Sequence, residues 1–157
     1  MDKMSEMGIP KKKEDAPGLA VLLGGSTLVK QPIRSEFDLI ALSNQGLQKA
    51  SLDALIGHMG MTKKNFAENI LHLSVKTLER KKDNEKLDRQ TSSHIIEVAK
   101  VVEHAFEVFE SGDKVQGWLN TPNRALNNFK PIDLFYIPTG LAMVDNVLGR
   151  IEEGVYS

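Results

Sequence analysis

The chain has 157 residues, enough for one ordinary domain or two very small ones. Apolar residues make up 41% and charged residues 26%, with a net charge of −1, the balance of a soluble globular protein without a global pull toward nucleic acid or membrane. The absence of cysteine excludes disulfides, thiolate metal sites and thiol nucleophiles.

Residues 1–17 are polar and Lys-rich, and the reading is a tail without a packed core. Lys11-Lys12-Lys13 followed by Ala16 to Gly25 has the outline of a signal peptide. Glu14 and Asp15 interrupt it and Leu19 to Leu23 is too short an apolar region, so the cytoplasm is the expected compartment. Residues 18–34 mix short apolar runs with Gly24-Gly25 and Pro32, which gives a flexible or irregular arm over 1–34. Gly24-Gly25-Ser26-Thr27 lacks the Lys-Ser/Thr of a phosphate loop.

From Ser35 the pattern is helical. Ser35 caps Glu36 to Leu42, with Glu36 and Asp38 in the first turn, where the helix dipole favours acid. Ser43 or Asn44 caps a second helix carrying Leu47, Leu52, Leu55, Ile56 and Met59, and Gly60 stops it. Thr62 caps a short helix with Phe66, Ala67 and Ile70 on its inner face. Ser74 caps another, with Val75 and Leu78 inward and Lys76, Thr77, Arg80 and Lys81 outward. Two short helices joined by a tight turn are a helix-turn-helix pattern.

Residues 82–90 are charged, either extending that helix or linking two lobes. Ser92 or Ser93 caps a long helix ending near Phe109. Its stripe Ile95, Val98, Ala99, Val102, Ala105, Phe106 and Phe109 is joined by a second, Ile96, Val101 and Val108. A helix apolar on two sides is either deeply buried or shared with a second subunit. Ser111-Gly112 breaks it. A short helix over Asp113 to Leu119 follows, then a turn from Asn123 to Leu126, and a helix start at Pro131. Pro138-Thr139-Gly140 reads as a further break. Leu141, Val144, Leu148 and Ile151 line a last helix that Gly154 ends. No strand pattern follows Ser35, so the expected class is all-α, divided at 35–90 and 91–157.

The charge is uneven. From Thr62 to Gln90 eight Lys/Arg face five Asp/Glu, and from Glu103 to Ser157 four face eight. A basic middle and an acidic end suggest two tasks. For the middle, Lys76, Thr77 and Arg80 are the candidates for a DNA groove and Lys63, Lys64, Lys81 and Lys82 for phosphates. The alternative is an ordinary helical pair with a solvated basic face.

Catalytic patterns are missing. Glu103, His104 and Glu107 share one helix, but a carboxylate-bridged metal site needs repeated E-x-x-H elements from other helices, so a solvated face is the better reading. Trp118, the single Trp, is assigned to the core. No enzyme activity, metal or cofactor is expected.

The order of elements resembles the Xre/MbcA/ParS antitoxins of type II toxin–antitoxin systems, from about Phe37 to Val155. Gly46-Leu47, Met59-Gly60-Met61-Thr62 and Leu73-Ser74-Val75-Lys76-Thr77-Leu78-Glu79-Arg80 are similar to the family's Xre-like helix-turn-helix. Ala105 to Phe109, Trp118 to Asn123, Leu126, Pro131 to Leu134, Thr139-Gly140, Val144 and Leu148 to Val155 are similar to its toxin-binding domain. Asn127-Asn128 stands where Gly-Gly is frequent and His94 where Arg is common. The resemblance implies a RES-domain, NAD-consuming toxin as partner, covered at its pocket entrance by the antitoxin's C-terminal end. It also implies binding to the operon's own promoter and a homodimer. The toxin contacts it implies are Asn123, Arg150, Glu153, Val155, Tyr156 and Ser157. The alternative is a stand-alone dimeric helix-turn-helix regulator.

Overall fold

A computed structural model describes residues 16–154. Among these the chain is helical, with no strand. The elements are α1 (Leu19–Leu22), α2 (Glu36–Gln45), α3 (Lys49–Met59), α4 (Lys63–Asn65), α5 (Val75–Glu79), α6 (Arg89–Phe109), α7 (Gly112–Leu119) and α8 (Pro138–Glu153). Phe66–Ile70 extends α4 as a π turn, and 3-10 turns lie at Arg124–Leu126 and Pro131–Leu134. None of these helices is long and apolar enough to cross a membrane.

The organising element is α6. Asp88 caps it by accepting the Thr91 N–H at 2.7 Å. Most of both apolar stripes is covered within the chain: Ile95, Ile96, Val98, Ala99, Val101 and Val102 are buried, while Val108 and Phe109 at the far end are half-buried. It packs against α1, α2, α3, α7 and α8. The two-sided pattern therefore reflects deep burial. Each Ile or Val of this set removed from water contributes about 1.5–3 kcal/mol, so α6 is the main apolar investment of the fold.

Several helix starts differ from expectation. Ser92 does not cap α6. It is fully buried, and its Oγ accepts the Leu47 N–H at 2.9 Å from 45 residues away. Nor do Ser43 or Asn44 cap α3, because α2 runs on to Gln45. The start of α3 has no side-chain cap. Its Lys49 and Ala50 N–H groups instead donate to the carbonyls of Glu85 and Asp83, at 2.9 and 3.0 Å. The charged segment 82–88 is thus a backbone cap for a distant helix, fixed further by the buried Leu87, whose N–H donates to the Leu47 carbonyl. Residues 18–34 also contribute more than an irregular arm would: Leu19, Leu22, Leu23 and Val29 are buried in the common core.

Pro138-Thr139-Gly140 begins α8 rather than breaking the chain, since proline at the first helical position gives up a donor that no helical acceptor needs. Trp118 is half-buried at the core's edge, its ring 5.3 Å from that of Phe109, and not inside the core as assigned.

Candidate functional site

The first surface is built by α4, its π turn and α5. Thr62 Oγ1 accepts the Asn65 N–H at 3.1 Å and Ser74 Oγ accepts the Thr77 N–H at 3.2 Å, so each helix has the local cap its sequence announces. Phe66, Ala67, Ile70 and Leu78 are buried beneath the pair. That burial turns the opposite face to solvent: Lys76, Thr77 and Arg80 are exposed together, with Lys64 on the preceding helix. Lys63 and Lys81 are more restrained. Lys63 Nζ lies 3.3 Å from Asp53, and Lys81 Nζ lies 3.6 Å from Glu85. The Thr77 hydroxyl lies 3.2 Å from Ser74 Oγ.

One lysine that sequence reasoning missed holds this surface in place. Lys49 is only 7% exposed, and its Nζ donates to the Lys81 carbonyl at 3.1 Å, just beyond α5. Its position among the apolar residues of α3 was the available signal.

The second surface is formed by α8, α7 and the 3-10 turns. Val144, Val147 and Leu148 root α8 in the core, while Arg150 and Glu153 are exposed on its last turn. Gly154 closes the helix in the left-handed conformation. Val155, Tyr156 and Ser157 lie outside the described residues. Asn123 is placed differently from the other implied contacts. It is buried, its Oδ1 accepts the Ala125 N–H at 2.9 Å, and its backbone pairs with Phe129 and Asn128. The side chain faces its own loop rather than solvent. Asn127 and Asn128 follow with φ of 57° and 66°, the left-handed values glycine would adopt more freely and Asn tolerates.

Two histidines tie α6 to this lobe. His94 Nε2 lies 2.9 Å from the Phe135 carbonyl, which places a proton on Nε2. His104 Nδ1 lies 2.7 Å from Asp145 Oδ1 and its Nε2 lies 3.0 Å from Glu152 Oε1. Burial disfavours the charged ring, but the bonds to Asp145 and Glu152 outweigh it and raise the His104 pKa above its ordinary value. The solvated-face reading for this stretch is therefore wrong at His104. Glu103 is half-buried, which raises its pKa, and its Oε2 accepts the Leu19 N–H at 2.9 Å. Among the described residues no group of three His, Asp or Glu side chains is arranged to hold a metal ion.

The two surfaces correspond to two known domains. Residues 38–100 match the antitoxin Xre-like helix-turn-helix domain, and residues 104–154 match the antitoxin Xre/MbcA/ParS C-terminal toxin-binding domain. The chain belongs to the Xre/MbcA/ParS antitoxin family. Antitoxin Xre of Photorhabdus laumondii subsp. laumondii is 27% identical over 128 residues, covering 80% of this chain and 86% of that protein. This antitoxin therefore has a toxin partner for its C-terminal lobe and DNA for its helix-turn-helix. The two matched regions meet inside α6, so one helix carries both.

Proposed function

We propose that the protein is the antitoxin of a type II system that inhibits a RES-domain, NAD-consuming toxin by covering the entrance to its pocket, and that it represses its own operon as a homodimer. The observation that carries the first part is the end of α8. A helix rooted in the core by Val147 and Leu148 terminates in exposed Arg150 and Glu153, with carboxylates prevailing on the whole lobe. The negative end of the helix dipole points the same way. A pocket that binds dinucleotide phosphates is basic, and such an end complements it. Inhibition then needs no chemistry from the antitoxin. Arg150, Glu153, Val155, Tyr156 and Ser157 are the proposed contacts, and Asn123 acts by fixing the loop from residue 123 to 129.

Operator binding is assigned to Lys76, Thr77 and Arg80 for the groove and Lys63, Lys64 and Lys81 for phosphates. The test uses the protein encoded beside this gene. Expressed alone it depletes NAD and stops growth, and co-expression of this chain restores both. Removing residues 152–157 weakens inhibition more than complex formation. Equal loss of both argues against occlusion. An operator-binding chain that gives no rescue is a stand-alone regulator.

A further inference from the structure

The His104 contacts join parts of the chain 41 and 48 residues apart. Asp145 and Glu152 are seven residues apart on α8, two turns along one face, and the ring lies between them with its side chain 19% exposed. A neutral imidazole has one N–H and one lone pair. With a carboxylate on each nitrogen, the neutral ring satisfies one contact and turns a lone pair toward the other. Only the doubly protonated ring donates to both. We infer that His104 is a positioning residue: its protonated ring clamps the last two turns of α8 to α6 and so fixes where the exposed Arg150 and Glu153 are presented.

The surroundings support a clamp governed by one proton. From α8 the groups facing the ring are Asp145 and Glu152. On α6 itself Glu103, Glu107 and Lys100 are near, and Lys100 is already shared between Glu36 and Glu97. From α1 comes the Leu19 N–H, which Glu103 accepts. Carboxylates outnumber cations, so loss of the His104 proton leaves Asp145 and Glu152 beside a neutral ring and other acids. The raised pKa agrees with the geometry. Its sign is clear: the clamp is complete below the ordinary histidine range, about 6.5, and is lost as pH rises through the raised value. Glu152 is taken up in this contact, while Arg150 and Glu153 remain outward.

The consequence for inhibition rests on the proposed occlusion, whereas the clamp itself does not, and the experiment separates them. In the full chain, hydrogen exchange of the 149–154 amides is compared at about pH 6 and about pH 9 after correction for intrinsic rates, with toxin inhibition measured at the same two values. In the wild-type chain protection is expected to fall with pH by about tenfold for each unit by which the pKa is raised. His104→Gln is expected at the low level at both values. Glu152→Gln keeps the ring and is expected to reduce the pH dependence, the remainder coming from Asp145, which serves if His104→Gln folds poorly. Wild-type protection that does not change with pH, or a His104→Gln chain that keeps the full pH response, overturns the clamp. Exchange that responds while inhibition does not upholds the clamp and removes its link to inhibition, leaving occlusion to the truncation test.

Discussion

Lys49 Nζ donates a hydrogen bond to the Lys81 carbonyl, a contact that helps couple the interior of the fold to the second helix of the helix-turn-helix. α5 has only five residues, too few to hold itself. It is positioned by the cap at Ser74, by the buried Leu78 and by Lys49 at its far end. Lys49→Met keeps the apolar stem but leaves the Lys81 carbonyl without this donor. The expected cost is about 1–2 kcal/mol in urea unfolding and a several-fold loss of operator affinity. Unchanged affinity in a destabilised chain would show that α5 is held without it.

Gly140 makes a comparable contact in the toxin-binding lobe. A methyl at this position would run into the Leu134 backbone carbonyl, which cannot swing away as a side chain would. Gly140→Ala is expected to destabilise the protein by about 1–3 kcal/mol, as overpacking of a tight contact does. Toxin binding falls because the 3-10 turn and α8 must separate. Urea unfolding and a pull-down with the toxin report the two effects.

What could be read in the sequence depended on the distance between interacting groups. Thr62, Ser74 and Asn123 announce their caps because donor and acceptor lie two or three residues apart. The start of α3 was misplaced because its acceptors, the carbonyls of Glu85 and Asp83, come from the chain beyond the helix-turn-helix. Ser92 looked like a cap because serine before an apolar stripe is that signal, yet it serves a tertiary bond. The exposed basic row at Lys76 and Arg80 was visible from helical period alone. The His104 clamp was not, since Asp145 and Glu152 lie on another helix and only the packing of α8 on α6 brings them together. Asn123 carries a signal of both kinds: its cap on Ala125 is local and legible, while its burial comes from the fold.

Asp88 provides a pH-dependent test of the long helix. Its bonds to the Thr91 N–H and hydroxyl lower its pKa, with slight burial opposing and Lys81 assisting. A lowered carboxylate pKa means stability that is complete above the ordinary aspartate range and lost as pH falls through the lower value. Asp88→Ala is expected to cost about 1 kcal/mol at neutral pH, as cap removal does, and Asp88→Asn much less because Asn also caps. In Asp88→Asn the acid-side loss of stability should shrink. Thermal unfolding at neutral and acidic pH measures both; an Asn variant as acid-sensitive as the wild type would place the sensitivity elsewhere.

The basic face predicts a graded response to salt. Each phosphate contact made by a lysine releases counterions, so losing one lowers the slope of log affinity against log salt by about one. Lys64 is exposed, and Lys64→Ala is expected to show that full decrease. Lys63 already faces Asp53 at 3.3 Å, so part of its charge is spent before DNA arrives and Lys63→Ala should reduce the slope less. Arg80→Ala should differ in kind, weakening discrimination between operator and random sequence by about 1–3 kcal/mol if its guanidinium reads a base edge. Operator titrations at several salt concentrations, each with a random-sequence control, distinguish these outcomes. A Lys63→Ala slope as low as that of Lys64→Ala would mean that the Asp53 ion pair opens on binding. An Arg80→Ala chain with unchanged discrimination would move Arg80 from the groove to the phosphate backbone.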